Sequence, residues 1–194
     1  MIIMKNRTFN WLDETGSVIK SGNLTMEATP QSDYFIDPAD GKEGLNAPFL
    51  YTELTGDFIL SAKVTADFDE TYDGCGLMFL ENTHLWGKLC FELTDLGTKS
   101  VVSVVTNQVS DDANGVELSK KQVWLQVSRK GQLFAMHYSL DGSEYRMVRY
   151  FSLPCSQLLK VGFVAQAPIG NGRQASFEDI RIEEYALENM RKGK

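Results

Sequence analysis

From Thr71 to Asn107 the chain reads TYDGCGLMFLENTHLWGKLCFELTDLGTKSVVSVVTN, three strand-like runs in succession. The middle run, His84 to Asp95, separates cleanly under a period of two. Leu85, Gly87, Leu89, Phe91 and Leu93 fall on one side; His84, Trp86, Lys88, Cys90, Glu92 and Thr94 fall on the other. Successive side chains of a strand point to opposite faces. One face of this strand is therefore built for a core, and the other carries an indole, an ammonium and a carboxylate in line.

The same grammar extends along the chain. Strand-like runs are expected near Thr8–Leu12, Asn23–Ala28, Asp33–Ile36, Phe49–Leu54, Asp57–Phe68, Gly76–Glu81, Leu85–Asp95, Lys99–Thr106, Gln122–Arg129, Leu133–Ser139, Tyr145–Ser152, Lys160–Gln166 and Ala175–Glu184. Turn signals such as Lys130-Gly131 and Asp141-Gly142 separate them, where glycine supplies positive φ at low cost. Asp57–Phe68 alternates best, with Phe58, Leu60, Ala62, Val64 and Ala66 opposite Ile59, Ser61, Lys63 and Thr65. Short strands at steady spacing with Gly and Asp turns predict an all-β antiparallel sandwich or barrel. Two long polar loops are expected, Asp37–Pro48 and Val109–Leu118, and only Glu184–Lys194 has helix-forming composition, at a frayed terminus. With no repeat or linker, residues 1–194 read as a single domain with 185–194 as a C-terminal tail.

Composition excludes several functions. Nineteen Lys and Arg against 26 Asp and Glu give a net charge of −7 without a basic cluster. Nucleic acid and anionic membranes, which need grouped Lys and Arg, are not expected partners. No apolar run has the length of a signal peptide or a membrane span, so a cytoplasmic location is expected. Cys75, Cys90 and Cys155 form no CxxC pair. Free thiols are expected, although Cys75 and Cys90 stand where paired strands could oppose them.

Catalytic motifs are scarce. His84 and His137 are the only histidines and show no metal spacing, and no Gly-x-Ser-x-Gly elbow occurs. The Asp- and Gly-rich segments 37–41 and 111–115 read as turns, because calcium needs six to eight oxygens and neither has the EF-hand order. No phosphate loop or dinucleotide fingerprint is present, so no cofactor and no metal are expected.

In order, Gly56-Asp57-Phe58, Tyr72-Asp73, Gly76-Leu77-Met78, Trp86-x-Lys88, Glu92, Ser103-Val104-Val105-Thr106-Asn107, Ser110-Asp111 and Gly162-Phe163 resemble a family of unknown function, regulation-of-enolase-like, within the concanavalin A-like lectin and glucanase superfamily. The resemblance spans roughly Asp33 to Glu183. It implies a concanavalin A-like jelly roll of two antiparallel sheets, one of them concave. Three positions depart from the family pattern: Gly74-Cys75 in place of Gln-Ala, Cys90 in place of a small Gly, and Asp112 in place of Trp.

The candidate ligand-binding residues are Trp86, Lys88, Glu92, Tyr72, Asp73, Asn107 and Arg149, with Ser103 and Gln166 as further members of a polar patch. On a concave face they would offer an aromatic plate beside donors and acceptors, a surface on which sugars bind. A Lys–Glu pair on a solvated sheet face, with Trp86 packed on an edge loop, is the competing reading and stabilises by about 0–1 kcal/mol. The expected function is non-catalytic binding of a carbohydrate or similar polar ligand. One alternative is a glycoside hydrolase using Glu92 and Asp73, the one carboxylate pair to nominate, because the Glu-x-Asp-x-x-Glu strand of the glucanase branch is missing. The other is a protein-interaction module that regulates a metabolic enzyme, as the resemblance implies.

Overall fold

The computed structural model describes residues 2–20 and 22–194. Its described residues form β1 (Ile2–Met4), β2 (Arg7–Leu12), β3 (Ser17–Lys20), β4 (Asn23–Glu27), β5 (Tyr34–Ile36), β6 (Glu43–Leu45), β7 (Phe49–Thr55), β8 (Phe58–Ala66) and β9 (Gly74–Asn82). They continue through β10 (Leu85–Leu93), β11 (Lys99–Asn107), β12 (Val109–Glu117), β13 (Gln122–Lys130), β14 (Leu133–Ser139), β15 (Tyr145–Ser152), β16 (Leu158–Gln166) and β17 (Gln174–Glu183). An eight-stranded sheet has the order β1-β2-β7-β16-β9-β10-β11-β12, and a seven-stranded sheet the order β15-β14-β13-β8-β17-β4-β3. β5 and β6 form a separate two-stranded hairpin. The expected antiparallel jelly-roll sandwich is what the chain forms.

The core lies between the two large sheets. Leu89 and Phe91 of β10 and Leu77 and Phe79 of β9 meet Leu60 and Val64 of β8 and Phe134 and Met136 of β14. Phe79 and Phe134 stack across the interface with centroids 4.4 Å apart. Leu89 and Phe91, and Leu60 and Val64, are residues that the period-two reading set on the apolar face of their strands.

The differences from the sequence reading have common causes. β12 occupies the segment expected to be a loop: it is an edge strand, mostly exposed, whose ladder with β11 needs no apolar alternation. β6 likewise forms inside the expected loop 37–48. The terminal segment neither frays nor forms a helix. Leu187 and Met190 are buried against Ile59 and Ala135 on the outer face of the seven-stranded sheet. The Lys194 backbone N–H donates to Gln126 Oε1 at 3.2 Å, and the Lys194 ammonium pairs with Glu183. His137 is packed beneath this segment, with its pKa lowered by burial. Met190→Ala is expected to cost about 2 kcal/mol, the low end for a buried methionine because the segment can settle. A lower urea midpoint at unchanged slope would show it.

All three cysteines are free. Cys75 lies in the core between the sheets, whereas Cys90 alternates with Leu89 and Phe91 onto the opposite face of β10, so strand geometry keeps the two thiols apart.

Candidate functional site

The outward face of the eight-stranded sheet is assembled from β16, β9, β10 and β11. Register places Lys88 beside Met78 and Val104, Cys90 beside Gly76 and Val102, and Glu92 beside Gly74, while Gln166 pairs with Gly74 from the other side. Gly74 thus separates Glu92 from Gln166 across three strands. A Cβ there would lie 3.1 Å from the Phe91 carbonyl and 3.2 Å from Glu92 Cβ, so a side chain would crowd the carboxylate.

Half of this face is roofed. The β5–β6 hairpin folds over it, and Tyr34 and Ala47 close a second apolar cluster with Phe49, Met78, Leu80, Trp86, Val102, Val104 and Val164. The Ile36 backbone N–H donates to Ser110 Oγ at 2.9 Å, tying the hairpin to β12. Trp86 is 0% exposed. Its Nε1–H donates to the Thr83 carbonyl at 2.9 Å, and Tyr34 meets the indole edge-on at a centroid distance of 5.8 Å. The expected stacking plate is therefore a packing residue: the outward face of β10 is amphipathic along its length, and the hairpin buries the apolar end.

At the polar end a hydrogen-bonded chain forms the floor of a pocket. Lys88, 2% exposed, donates from Nζ to Asp33 Oδ1 at 3.1 Å and to Gln166 Oε1 at 2.6 Å. The Gln166 Nε2 amide donates to Glu92 Oε2 and to the Tyr72 carbonyl, both at 3.2 Å. Glu92 is 7% exposed. Burial pushes its pKa up to about 8; Lys88 pulls down, while Asp33, Asp112 and Asp95 push up. Burial opposes the Lys88 ammonium, but Asp33, Cys90 and Glu92 outweigh it and hold its pKa above the ordinary lysine value. Above this floor opens a pocket of about 570 Å³, walled by Asp33, Phe35 and Lys42 of the hairpin region, by Tyr72, and by Asp112 and Asn114 of β12.

Lys88, Glu92 and Tyr72 come together here as expected, joined by Gln166. The others do not. Asp73 caps the preceding turn, its Oδ2 accepting the backbone N–H groups of Asp69 and Glu70 at 3.1 and 3.0 Å. It is absent from the pocket wall, and half of the nominated hydrolytic pair is thereby occupied with structural work. Ser103 and Asn107 share the other face of β11, because Trp86 pairs with Thr106 and Lys88 with Val104, leaving even-numbered positions outward. Arg149 belongs to β15 of the other sheet, where it holds Asp111 at 2.7 Å. Asp33 and Lys42 escaped sequence reasoning because they reach the site from the hairpin region, the Asp33–Ile36 strand run being their one signal; Asp112, from an edge strand, was singled out only as a departure from the family pattern.

No group of three or more His, Cys, Asp or Glu among the described residues could hold a metal ion. Among the same residues no helix is long and apolar enough to cross a membrane.

Comparison with known proteins places this architecture. The chain is 26% identical over 171 residues to the Saccharomyces cerevisiae protein named Regulation of enolase protein 1, covering 87% of this chain and 86% of that one. A solved structure of a functionally unknown protein from Saccharomyces cerevisiae superposes with a TM-score of 0.87 at 24% identity, over 92% of this chain and 97% of that one. The GH43 protein BlXynB from Bacillus licheniformis shares the fold at a TM-score of 0.68 and 14% identity, over 86% of this chain but 34% of its own length. Lectin I-B4 from Griffonia simplicifolia does so at 0.58 and 10% identity, over 90% and 92% of the two chains. A family model described as protein of unknown function (DUF1349) matches residues 11–185, and the chain belongs to that family.

Proposed function

We propose that the pocket over Lys88, Gln166 and Glu92 is a non-catalytic binding site for a carbohydrate or a comparably polyhydroxylated ligand. The observation that carries the reading is the floor: three fully or nearly buried polar side chains in one hydrogen-bonded chain beneath an open pocket of about 570 Å³. An ammonium has three donors, and Asp33 and Gln166 take two of those of Lys88. Burial favours the protonated form of the Glu92 carboxyl, and in that form it can both donate to and accept from a hydroxyl. Tyr72, 38% exposed, and Ile169, 60% exposed, give the rim apolar surface for the C–H face of a sugar. They take over the packing role that the sequence suggested for Trp86.

The test is a glycan array followed by calorimetric titration of the best hit. Lys88→Met and Gln166→Ala are expected to weaken binding at least about tenfold, the first by removing a charge-assisted donor, the second by removing the amide that holds Lys88 and Glu92 in place. Asn107→Ala and Arg149→Ala, outside the pocket, are expected to bind as the parent does. Parental affinity in both pocket variants, or no binding of any glycan, would overturn the reading.

A second reading follows from the name of the yeast relative: a module that acts on a metabolic enzyme in the cytoplasm through protein contact. It predicts capture of a defined enzyme by the immobilised protein, unaffected by Lys88→Met. Hydrolysis by Glu92 with Asp73 has no support from the arrangement of Asp73.

A further inference from the structure

The rim of the pocket is unevenly charged. Asp37, Asp95 and Asp112 stand around the opening, and Lys42 is the one lysine or arginine of the wall besides Lys88. Asp33 pairs with the Lys88 ammonium at 3.1 Å, which leaves Asp37, Asp95 and Asp112 set against Lys42. The carboxylates are spread around the mouth from three separate segments, and no cluster among the described residues could hold a metal ion. A spread ring of carboxylates over a hydrogen-bonding floor fits an extended organic cation better than a bare ion, which needs its oxygens converged within about 2.6 Å.

We infer that the ligand of this pocket is a saccharide bearing a protonated amine, an amino sugar, held by its hydroxyls at the floor and by its charge at the aspartate rim. This rests on the carbohydrate reading of the same site and narrows it. The same aspartates act on two side chains at the site. After burial, Asp33, Asp112 and Asp95 raise Glu92. Asp95, Glu92 and Asp112 raise Tyr72, again after burial. A cation entering between them relieves both. A pocket wall with a surplus of one sign also concentrates oppositely charged ligands before contact.

The experiment compares two probes with the same hydroxyl framework: a β-1,4-linked glucosamine tetramer and its fully N-acetylated counterpart, titrated calorimetrically at about pH 6, where the aspartates are ionised. The amine form is expected to bind at least about tenfold tighter, and the preference to shrink in about 1 M salt, where screening acts within about 3 Å. Asp112→Asn and Asp95→Asn, both exposed rim positions, are expected to lower affinity for the amine form more than for the acetylated form, narrowing the preference between the two. Equal binding of the two tetramers, or a preference untouched by both rim variants, would overturn the amino-sugar assignment and leave the carbohydrate site standing. Failure of both tetramers together with every neutral glycan would remove both readings. Binding of neutral glycans alone would remove only this one.

Discussion

Trp86→Ala is expected to destabilise the protein by about 3–5 kcal/mol, the range for deleting a fully buried large aromatic. Three losses add. The indole fills the centre of the cluster under the β5–β6 hairpin, so its removal leaves a cavity among Tyr34, Met78, Leu80 and Val104. The edge-on contact with Tyr34 goes, and with it about 0.5–1.5 kcal/mol beyond area burial. The Thr83 carbonyl loses its donor. Trp86→Phe keeps most of the packing and is expected to cost less than half as much. Urea unfolding with both variants separates cavity from hydrogen bond, and a parental midpoint for Trp86→Ala would contradict the burial of this side chain.

The same substitution reaches the pocket indirectly. Across the sheet face the hairpin is held by the Trp86 cluster, by Lys88–Asp33 and by Ile36 on Ser110. It carries or adjoins Asp33, Phe35 and Lys42, so loosening it blurs one wall of the pocket. Amide exchange of residues 34–45 should accelerate in Trp86→Ala well beyond that of β8 or β13, because local opening draws on the least supported segments. Ligand affinity would fall with it, without the indole touching the ligand.

How much of this was legible depends on what each residue's position required. The alternation of Leu89 and Phe91 against Trp86, Lys88 and Glu92 is local, and it holds in the fold. The sheet to which a distant strand belongs is not local. Arg149 alternates plausibly yet sits on β15, across the sandwich from Lys88. Parity is also invisible until register is known. The tight turn from Thr94 to Thr98 sets Glu92 against Ser100, which sends Ser103 and Asn107 inward or sideways and keeps Val102 and Val104 on the face of Lys88. The roof over Trp86 was hidden for another reason. Asp37–Pro48 is polar in composition because the hairpin shows one side to solvent, and inside that segment Leu45 and Ala47 alone mark the side that packs with Tyr34. The amphipathic outward face of β10 therefore showed that one side is polar but not where along the strand the pocket begins.

Glu92→Gln is expected to abolish a pH dependence that the parent shows. Unfolded, this carboxyl titrates near 4.5; folded, it is pushed up to about 8, first by burial. Between those values the folded chain keeps a proton that the unfolded chain has released. The unfolded state then binds fewer protons, and stability falls as pH rises. The contribution of Glu92 is thus fully present below about pH 4.5 and is lost by about pH 8. At about 1.4 kcal/mol per unit, discounted for relaxation around the charge, the fall amounts to about 2–4 kcal/mol. Glutamine imitates the protonated carboxyl in shape and still accepts from Gln166, so Glu92→Gln should match the parent near pH 5 and exceed it by that amount near pH 9. His137, depressed by burial, gives the opposite slope at acid pH, but it is common to both proteins and cancels in the difference. Urea midpoints of the two proteins across this range measure the effect directly. A difference that does not change with pH would mean that Glu92 is already ionised beside Lys88, an ordinary buried ion pair bridged by Gln166. The floor would then carry no carboxyl proton to offer a sugar hydroxyl.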